Sequence, residues 1–199
     1  MGRGTPEMAL VVHRAEWKTF FDELRGESPR AMAILVAAYL DSLLERKLKL
    51  IFSRGESRTR GRLFGANGPF ATSSAKVDAL YCLGMLDPDV HHDLHILRRI
   101  RNKFAHQIHG LSMDSPEVRA MIDDLKTPHR SFVDWGDLQW APLAKSDGIV
   151  LFSGEAPENA DAAHPMPAEF WFRFGASVVM GYLAIDLDLA LQAKPDENA

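Results

Sequence analysis

A histidine, an arginine and an asparagine that could do chemistry stand close together in the stretch RIRNKFAHQIHG, residues 99–110. An imidazole can move protons near neutral pH, and a guanidinium can stabilise a developing oxyanion. His106, Arg101 and Asn102 are therefore the candidate catalytic residues of this stretch. On a straight helix, positions 101 and 106 point about 140° apart. The pair could therefore converge only at a bent helix end or across a symmetric dimer, and no catalytic residue is expected within one chain.

Arg101 is the unusual residue of this stretch, because helical spacing of about 100° per residue places it in an apolar arc, between Leu97 and Phe104. A buried guanidinium without a partner loses its hydration without compensation. We therefore predict that Arg101 is a buried or half-buried structural clamp paired with a carboxylate from another helix. The candidate carboxylates are Asp41 and Glu45, four residues apart on the predicted second helix, and Asp78 on the third.

The opposite face of the same predicted helix is rich in histidine. It carries His91, His95, Asn102, His106 and His109. Three interpretations stay open: a solvated polar face, a subunit interface or ligand cleft, and a metal site in which His91 and His95, at i and i+4, share one zinc ion. The sequence offers no third ligand, so neither a metal nor another cofactor is expected.

Composition and charge set broad limits on the function. The chain has 199 residues, 46% of them hydrophobic and 25% charged, with a formal net charge of −4. This balance argues against a protein whose whole surface coats nucleic acid. The single Cys82 excludes an intramolecular disulfide, and the longest apolar run, residues 31–40, is about half of a membrane span. We expect a soluble, cytoplasmic protein with no membrane partner.

Most of the chain shows helical periodicity, so the residues named above are expected to be positioned by helices. Helices are predicted near residues 15–25, from Ser28 and Pro29 to about Phe52, over 72–86, from Asp87 to Gly110, over 115–125 and over 166–193. Residues 127–165, rich in Pro, Gly and Asp, are expected to be an irregular excursion. The predicted fold is an all-α bundle of five to six helices in a single domain over residues 1–199, with the core bundle at about 15–125 completed by the C-terminal helix.

The strongest basic feature is the segment SRGESRTRGRLFGANGPFA, residues 53–71, which its glycines and proline predict to be a loop. Such a loop could contact phosphates, or it could be a solvated segment with no ligand. Its basic residues are Arg54, Arg58, Arg60 and Arg62, extended by Arg46, Lys47 and Lys49 of the preceding helix.

Residues 64–106, FGANGPFATSSAKVDALYCLGMLDPDVHHDLHILRRIRNKFAH, resemble the signature of the mannitol operon repressor family. That signature pairs an NGP-type loop and a small-residue helix with an R-N-x-F-A-H helix. AAYLDSLLERKLKLIF, residues 37–52, is similar to the family's long second helix, so that the resemblance covers about residues 28–125. It implies an all-helical transcriptional repressor without a recognisable DNA-reading motif. Asn67, Gly68 and Pro69 would form a shaped turn against the RNKFAH helix.

The arginine, four intervening residues and histidine of Arg101–His106 are also similar to HEPN-type helical domains. In many of those domains the pair forms a metal-independent ribonuclease site at a dimer cleft. This more distant resemblance implies an RNA-directed function. In a ribonuclease of that type His106 would be the general acid or base, Arg101 would stabilise the phosphorane charge, and Asn102 would orient one of them.

Three functions are therefore compared. The first is a non-catalytic transcriptional regulator of the mannitol-repressor type, acting as a homodimer through contacts with another regulatory protein or with DNA. The alternative is a HEPN-type RNA-binding protein or endoribonuclease. A third is a scaffold or antitoxin-like module in which Trp135 and Trp140 of the excursion bind a partner helix.

Overall fold

The structure is a computed structural model that describes residues 26–52, 57–107, 109–128 and 168–192, together with positions 20 and 24. These residues form six helices and no strand, which confirms the predicted all-α fold. Of the predicted excursion at 127–165, residues 129–165, including Trp135 and Trp140, lie outside the described residues, as does most of the predicted first helix. The helices are α1 (Pro29–Ile51), α2 (Ser57–Phe64), α3 (Ser73–Cys82), α4 (Pro88–His106), α5 (Pro116–Asp123) and α6 (Ala168–Gln192).

Three helices begin at side-chain caps that satisfy their first free backbone N–H groups. The hydroxyl of Ser28 accepts a hydrogen bond from the backbone N–H of Ala31 at the start of α1. Thr72 does the same for α3, and the carboxylate of Asp87 accepts from the N–H of Asp89 in α4. The proline that follows Ser28 or Asp87 takes the first helical position, where no N–H is needed. The predicted starts of α1 and α4 are confirmed.

A tight turn joins α3 to α4. Gly84 has a φ of +69°, its N–H donates to the carbonyl of Tyr81, and the N–H of Met85 donates to the carbonyl of Leu80. These two bonds form a Schellman motif, which ends a helix at a left-handed glycine. The amine of Lys47 on α1 then donates a 2.9 Å hydrogen bond to the carbonyl of Met85. The α3–α4 pair is thus held by its own turn and by α1.

The core lies between α1 and the helices packed on it, which are α3, α4 and α6. α6 also contacts α4 and α5, and over residues 168–183, whose side chains the structure describes, it is buried on most sides. Gly175 permits this contact, because a Cβ there would lie 2.8 Å from Leu125 Cδ1. Within the described residues, no helix is long and apolar enough to cross a membrane.

The predicted loop at residues 53–71 is wrong over its middle part, because Ser57–Phe64 is the helix α2. Its arginines are good helix formers, and only Gly61 interrupts them. Phe70 packs against the end of the helix. Its ring centroid lies 5.4 Å from that of Phe64 and 5.3 Å from that of Phe52. Packing of these aromatic rings therefore outweighs the weak local preference of this segment for a loop.

Candidate functional site

Arg101 is exposed on the surface of α4, which corrects the prediction of a buried clamp. Its Nη1 donates a 3.0 Å hydrogen bond to Oδ1 of the adjacent Asn102. The guanidinium is therefore held along the helix surface by a neighbouring amide, and it is open to a binding partner.

The prediction failed because the buried stripe of α4 winds around the helix. Val90, Leu97 and Phe104 are buried at a seven-residue spacing, and such a repeat drifts by about 20° per repeat on a straight helix. By the last turns the stripe has moved away from the side that carries Arg101. A projection down the helix axis superposes all turns and conceals this drift.

The two carboxylates predicted to hold Arg101 instead bind a lysine of α3. Lys76 Nζ lies 2.8 Å from Asp41 Oδ2 and 2.8 Å from Glu45 Oε2, and the Lys76 side chain is only 3% exposed. A clamp between helices exists, as expected from the i,i+4 spacing of the acids, but it joins α1 to α3. Lys76 was missed because its stem lies among apolar neighbours on α3 while only its ammonium reaches the acids.

The charges of this clamp are stabilised by one another. The hydrogen bond from Lys49, followed by that from Lys76, holds the pKa of Glu45 below its ordinary value. Burial acts to lower the pKa of Lys76, but its hydrogen bonds to Asp41 and Glu45 outweigh burial and leave that pKa raised. Both groups are thus charged at neutral pH.

The last turns of α4 form an exposed polar surface, which we call the α4 carboxyl end and define as Arg101, Asn102 and His106. Asn102 is partly buried, while Arg101 and His106 are exposed. The helix ends at His106, so His109 lies beyond it and does not share the predicted histidine face. The guanidinium of Arg30 on α1 donates to the carbonyl of Gln107, the C-cap of α4, and this ties the two helices together at this surface.

The turn at Asn67, Gly68 and Pro69 is held by backbone hydrogen bonds to the end of α2 and to Gly65, the residue that follows α2. Gly68 donates to the carbonyl of Gly65 at 2.8 Å, and Phe70 donates to that of Leu63 at 3.0 Å. A Cβ at position 68 would lie 2.2 Å from the carbonyl oxygen of Arg62, so only glycine fits. Asn67 and Pro69 are exposed.

The basic residues of this region are carried by a helix and do not all face solvent. Arg58 and Arg62 of α2 are exposed, and Arg60 is partly exposed. Lys47, expected to extend the basic surface, is only 1% exposed, so that part of the expectation is wrong. Arg54 lies outside the described residues.

A second polar group, which we call the His–Asp cluster, lies where α3 meets α4 and consists of Asp78, His91 and His95. His91 Nε2 lies 3.2 Å and His95 Nε2 lies 2.9 Å from the same oxygen, Asp78 Oδ1. The two Nε2 atoms are 3.2 Å apart. Burial acts to raise the pKa of Asp78, but hydrogen bonding to the two imidazoles outweighs it and lowers that pKa.

Sequence reasoning found the two histidines of this cluster but missed its carboxylate. The available signal was the short α3–α4 connection, which makes the helices an antiparallel pair and sets Asp78 opposite the first turns of α4. Asp78 therefore faces the histidines rather than Arg101, for which the sequence made it a candidate partner.

The described helices define a helical-bundle protein, and comparison with known proteins adds a likeness of fold. No protein-family model matches the chain, and no curated protein matches its sequence. A chain in the X-ray structure of the MtlR–HPr complex from Escherichia coli is similar, with a TM-score of 0.52 and 14% sequence identity. The match covers 89% of the present chain and 97% of that chain. At this identity the likeness is one of fold, and it agrees with the helical architecture that the mannitol-repressor resemblance implies.

Proposed function

We propose that this protein is a non-catalytic regulator of the mannitol-repressor type, which acts by binding another protein through the α4 carboxyl end. The observation that carries the proposal is the fold it shares, over nearly its whole length, with a chain from a protein–protein complex. By analogy, HPr is the partner to test first.

The α4 carboxyl end has the properties of a binding surface. Arg101 is exposed and its guanidinium is already oriented by Asn102, so little side-chain entropy is lost when a partner binds. Arginine is over-represented among residues that dominate binding energy. Arg99, also exposed, adds positive charge next to this surface. An acidic or polar patch on the partner therefore fits it best.

The experiment measures the affinity of HPr for the protein by isothermal titration calorimetry. We expect Arg101→Ala to weaken binding about 10-fold, the loss of one well-placed charged contact. Arg46→Ala, which removes an exposed arginine from α1, is the matched control and should leave the affinity unchanged. Failure of the unsubstituted protein to bind would refute this partner, and equal effects of the two substitutions would refute this surface.

The regulator is proposed to be a homodimer that influences transcription through its protein partner or through DNA. Light scattering coupled to size exclusion measures the mass in solution, and a mass near twice 22.2 kDa is expected. Anisotropy of a labelled DNA duplex at two salt concentrations tests direct contact, because binding through phosphates weakens steeply as salt rises.

One observation favours the RNA-directed alternative. Asn102 holds Arg101 by a hydrogen bond, the orienting role that a ribonuclease site would need. Incubation of purified protein with RNA, next to the His106→Ala variant, separates the two functions. Cleavage that the variant loses would replace the regulator proposal with a ribonuclease.

A further inference from the structure

The His–Asp cluster brings three metal-ligating groups to one point on the surface. One ligand atom from each of Asp78, His91 and His95 lies within 4.8 Å of the others. We propose that this cluster binds a divalent transition-metal ion, and that Zn²⁺ is the ion it takes. The proposal does not depend on the proposed regulatory function.

The distances between the ligand atoms suit a tetrahedral ion. An ion bound at about 2.0 Å in tetrahedral geometry has ligand atoms about 3.3 Å from one another. The three separations here are 2.9, 3.2 and 3.2 Å. An ion can therefore enter with small side-chain adjustments and no movement of the helices.

The ligand types select the class of metal. Two imidazoles and one carboxylate suit zinc and other borderline transition metals, whereas Mg²⁺ and Ca²⁺ prefer sets made wholly of oxygen ligands. Three protein ligands leave a fourth position for water or for a group from a partner, as in open zinc sites. Solvent can reach that position, since the Asp78 side chain is 55% exposed and those of His91 and His95 are 24% and 25% exposed.

The surrounding residues hold the ligands in place. The ring of Tyr81 stacks on that of His91 with centroids 4.1 Å apart. The hydroxyl of Ser74 lies 3.5 Å from the second oxygen of Asp78, one turn away on α3. Because the Schellman motif fixes α3 against α4, a bound ion would join two helices that already have the required spacing.

The first experiment titrates ZnCl₂ into the full chain, purified without a polyhistidine tag and treated with a chelator. Calorimetry should give one site per chain, and the thermal midpoint should rise with zinc because the ion binds the folded state. We expect His95→Ala and Asp78→Asn each to weaken zinc binding at least about 10-fold. His109→Ala, an exposed histidine beyond α4, should bind zinc as the unsubstituted protein does.

The Asp78→Asn variant decides whether three ligands or only the histidine pair bind the ion. Undiminished affinity in that variant would overturn the three-ligand site, and absence of zinc binding by the unsubstituted protein would overturn the proposal as a whole. Circular dichroism of each variant verifies that it is folded. Co²⁺ should produce the intense visible absorption of a tetrahedral complex, lost in His95→Ala, and MgCl₂ should not shift the thermal midpoint.

Discussion

Asp93 binds Thr127, 34 residues further along the chain, through both the backbone N–H and the hydroxyl of the threonine. Both bonds end at Asp93 Oδ2, with lengths of 2.8 and 2.6 Å, and both residues are fully buried. The other oxygen accepts the N–H of Lys126 at 2.8 Å and lies 3.1 Å from His92 Nδ1. A carboxylate inside the bundle thus connects α4 to the segment that follows α5.

Asp93→Ala is expected to reduce the free energy of unfolding by about 3 kcal/mol, because the buried donors of Thr127 and the part-buried N–H of Lys126 lose their acceptor. Asp93→Asn should cost less, since an amide oxygen still accepts one of these bonds. Chemical denaturation measures both values. Asp123→Ala, which removes an exposed carboxylate of α5, is the control and should cost less than about 1 kcal/mol. Equal losses at positions 93 and 123 would contradict the structural role of Asp93.

The Lys76 clamp predicts a specific pH dependence of stability. The pKa of Glu45 is lowered from 4.5, so its contribution is present above pH 4.5 and is lost as the pH falls through the folded-state pKa. The pKa of Lys76 is raised from 10.5, so its contribution is present below pH 10.5 and is lost as the pH rises through the folded-state pKa. The free energy of unfolding, measured by chemical denaturation as a function of pH, should show a plateau between about pH 4.5 and about pH 10.5.

Lys76→Met keeps much of the apolar stem but removes the ammonium, and should cost about 2 kcal/mol at neutral pH. The difference between this variant and the unsubstituted protein should shrink at both ends of the pH range, because the clamp is lost there in the unsubstituted protein. A difference that stays constant from about pH 3 to about pH 11 would show that only packing is affected.

Arg101→Ala is expected to change the free energy of unfolding by less than about 0.5 kcal/mol, as for other surface substitutions. The reason is that Arg101 is exposed and its hydrogen bond joins two adjacent residues of one helix. Thermal denaturation provides the measurement. A large fall in the thermal midpoint would contradict the exposed position of Arg101 and would support its prediction as a buried structural clamp.

Gly68→Ala should destabilise the protein by about 2 kcal/mol, because the new Cβ would overlap two backbone carbonyl oxygens at the end of α2. Gly61→Ala is the matched control, since a Cβ there meets nothing within 4 Å and alanine favours the helix. If position 68 tolerated alanine as well as position 61 does, the close packing of the NGP turn on α2 would be wrong.

Local signals were sufficient to predict most of the described helices. Caps at Ser28, Thr72 and Asp87 follow from side-chain chemistry next to each helix start. The nearly all-round apolar sequence of α6 predicts that this helix is buried, either in the centre of the bundle or in a dimer interface. α2 was missed because its helical state depends on aromatic contacts between Phe52, Phe64 and Phe70. Phe64 and Phe70 are six residues apart and Phe52 and Phe70 are 18 apart, and hydrophobic periodicity does not report ring contacts at these spacings.

The candidate sites were predicted only in part, because charged pairs depend on how helices meet. The spacing of Asp41 and Glu45 correctly indicated a cation from another helix, but it could not distinguish Lys76 from Arg101. The spacing of His91 and His95 indicated that they act together, while the position of Asp78 opposite them depends on the α3–α4 turn.

The bond from Arg30 to the carbonyl of Gln107 joins the first turn of α1 to the end of α4. A partner protein that contacts His106 next to Gln107 would therefore also meet Arg30 of α1, so its binding surface would be built from two helices. Neither helix, excised as a peptide, would reproduce that surface, so an inhibitor copied from the α4 sequence alone would compete poorly.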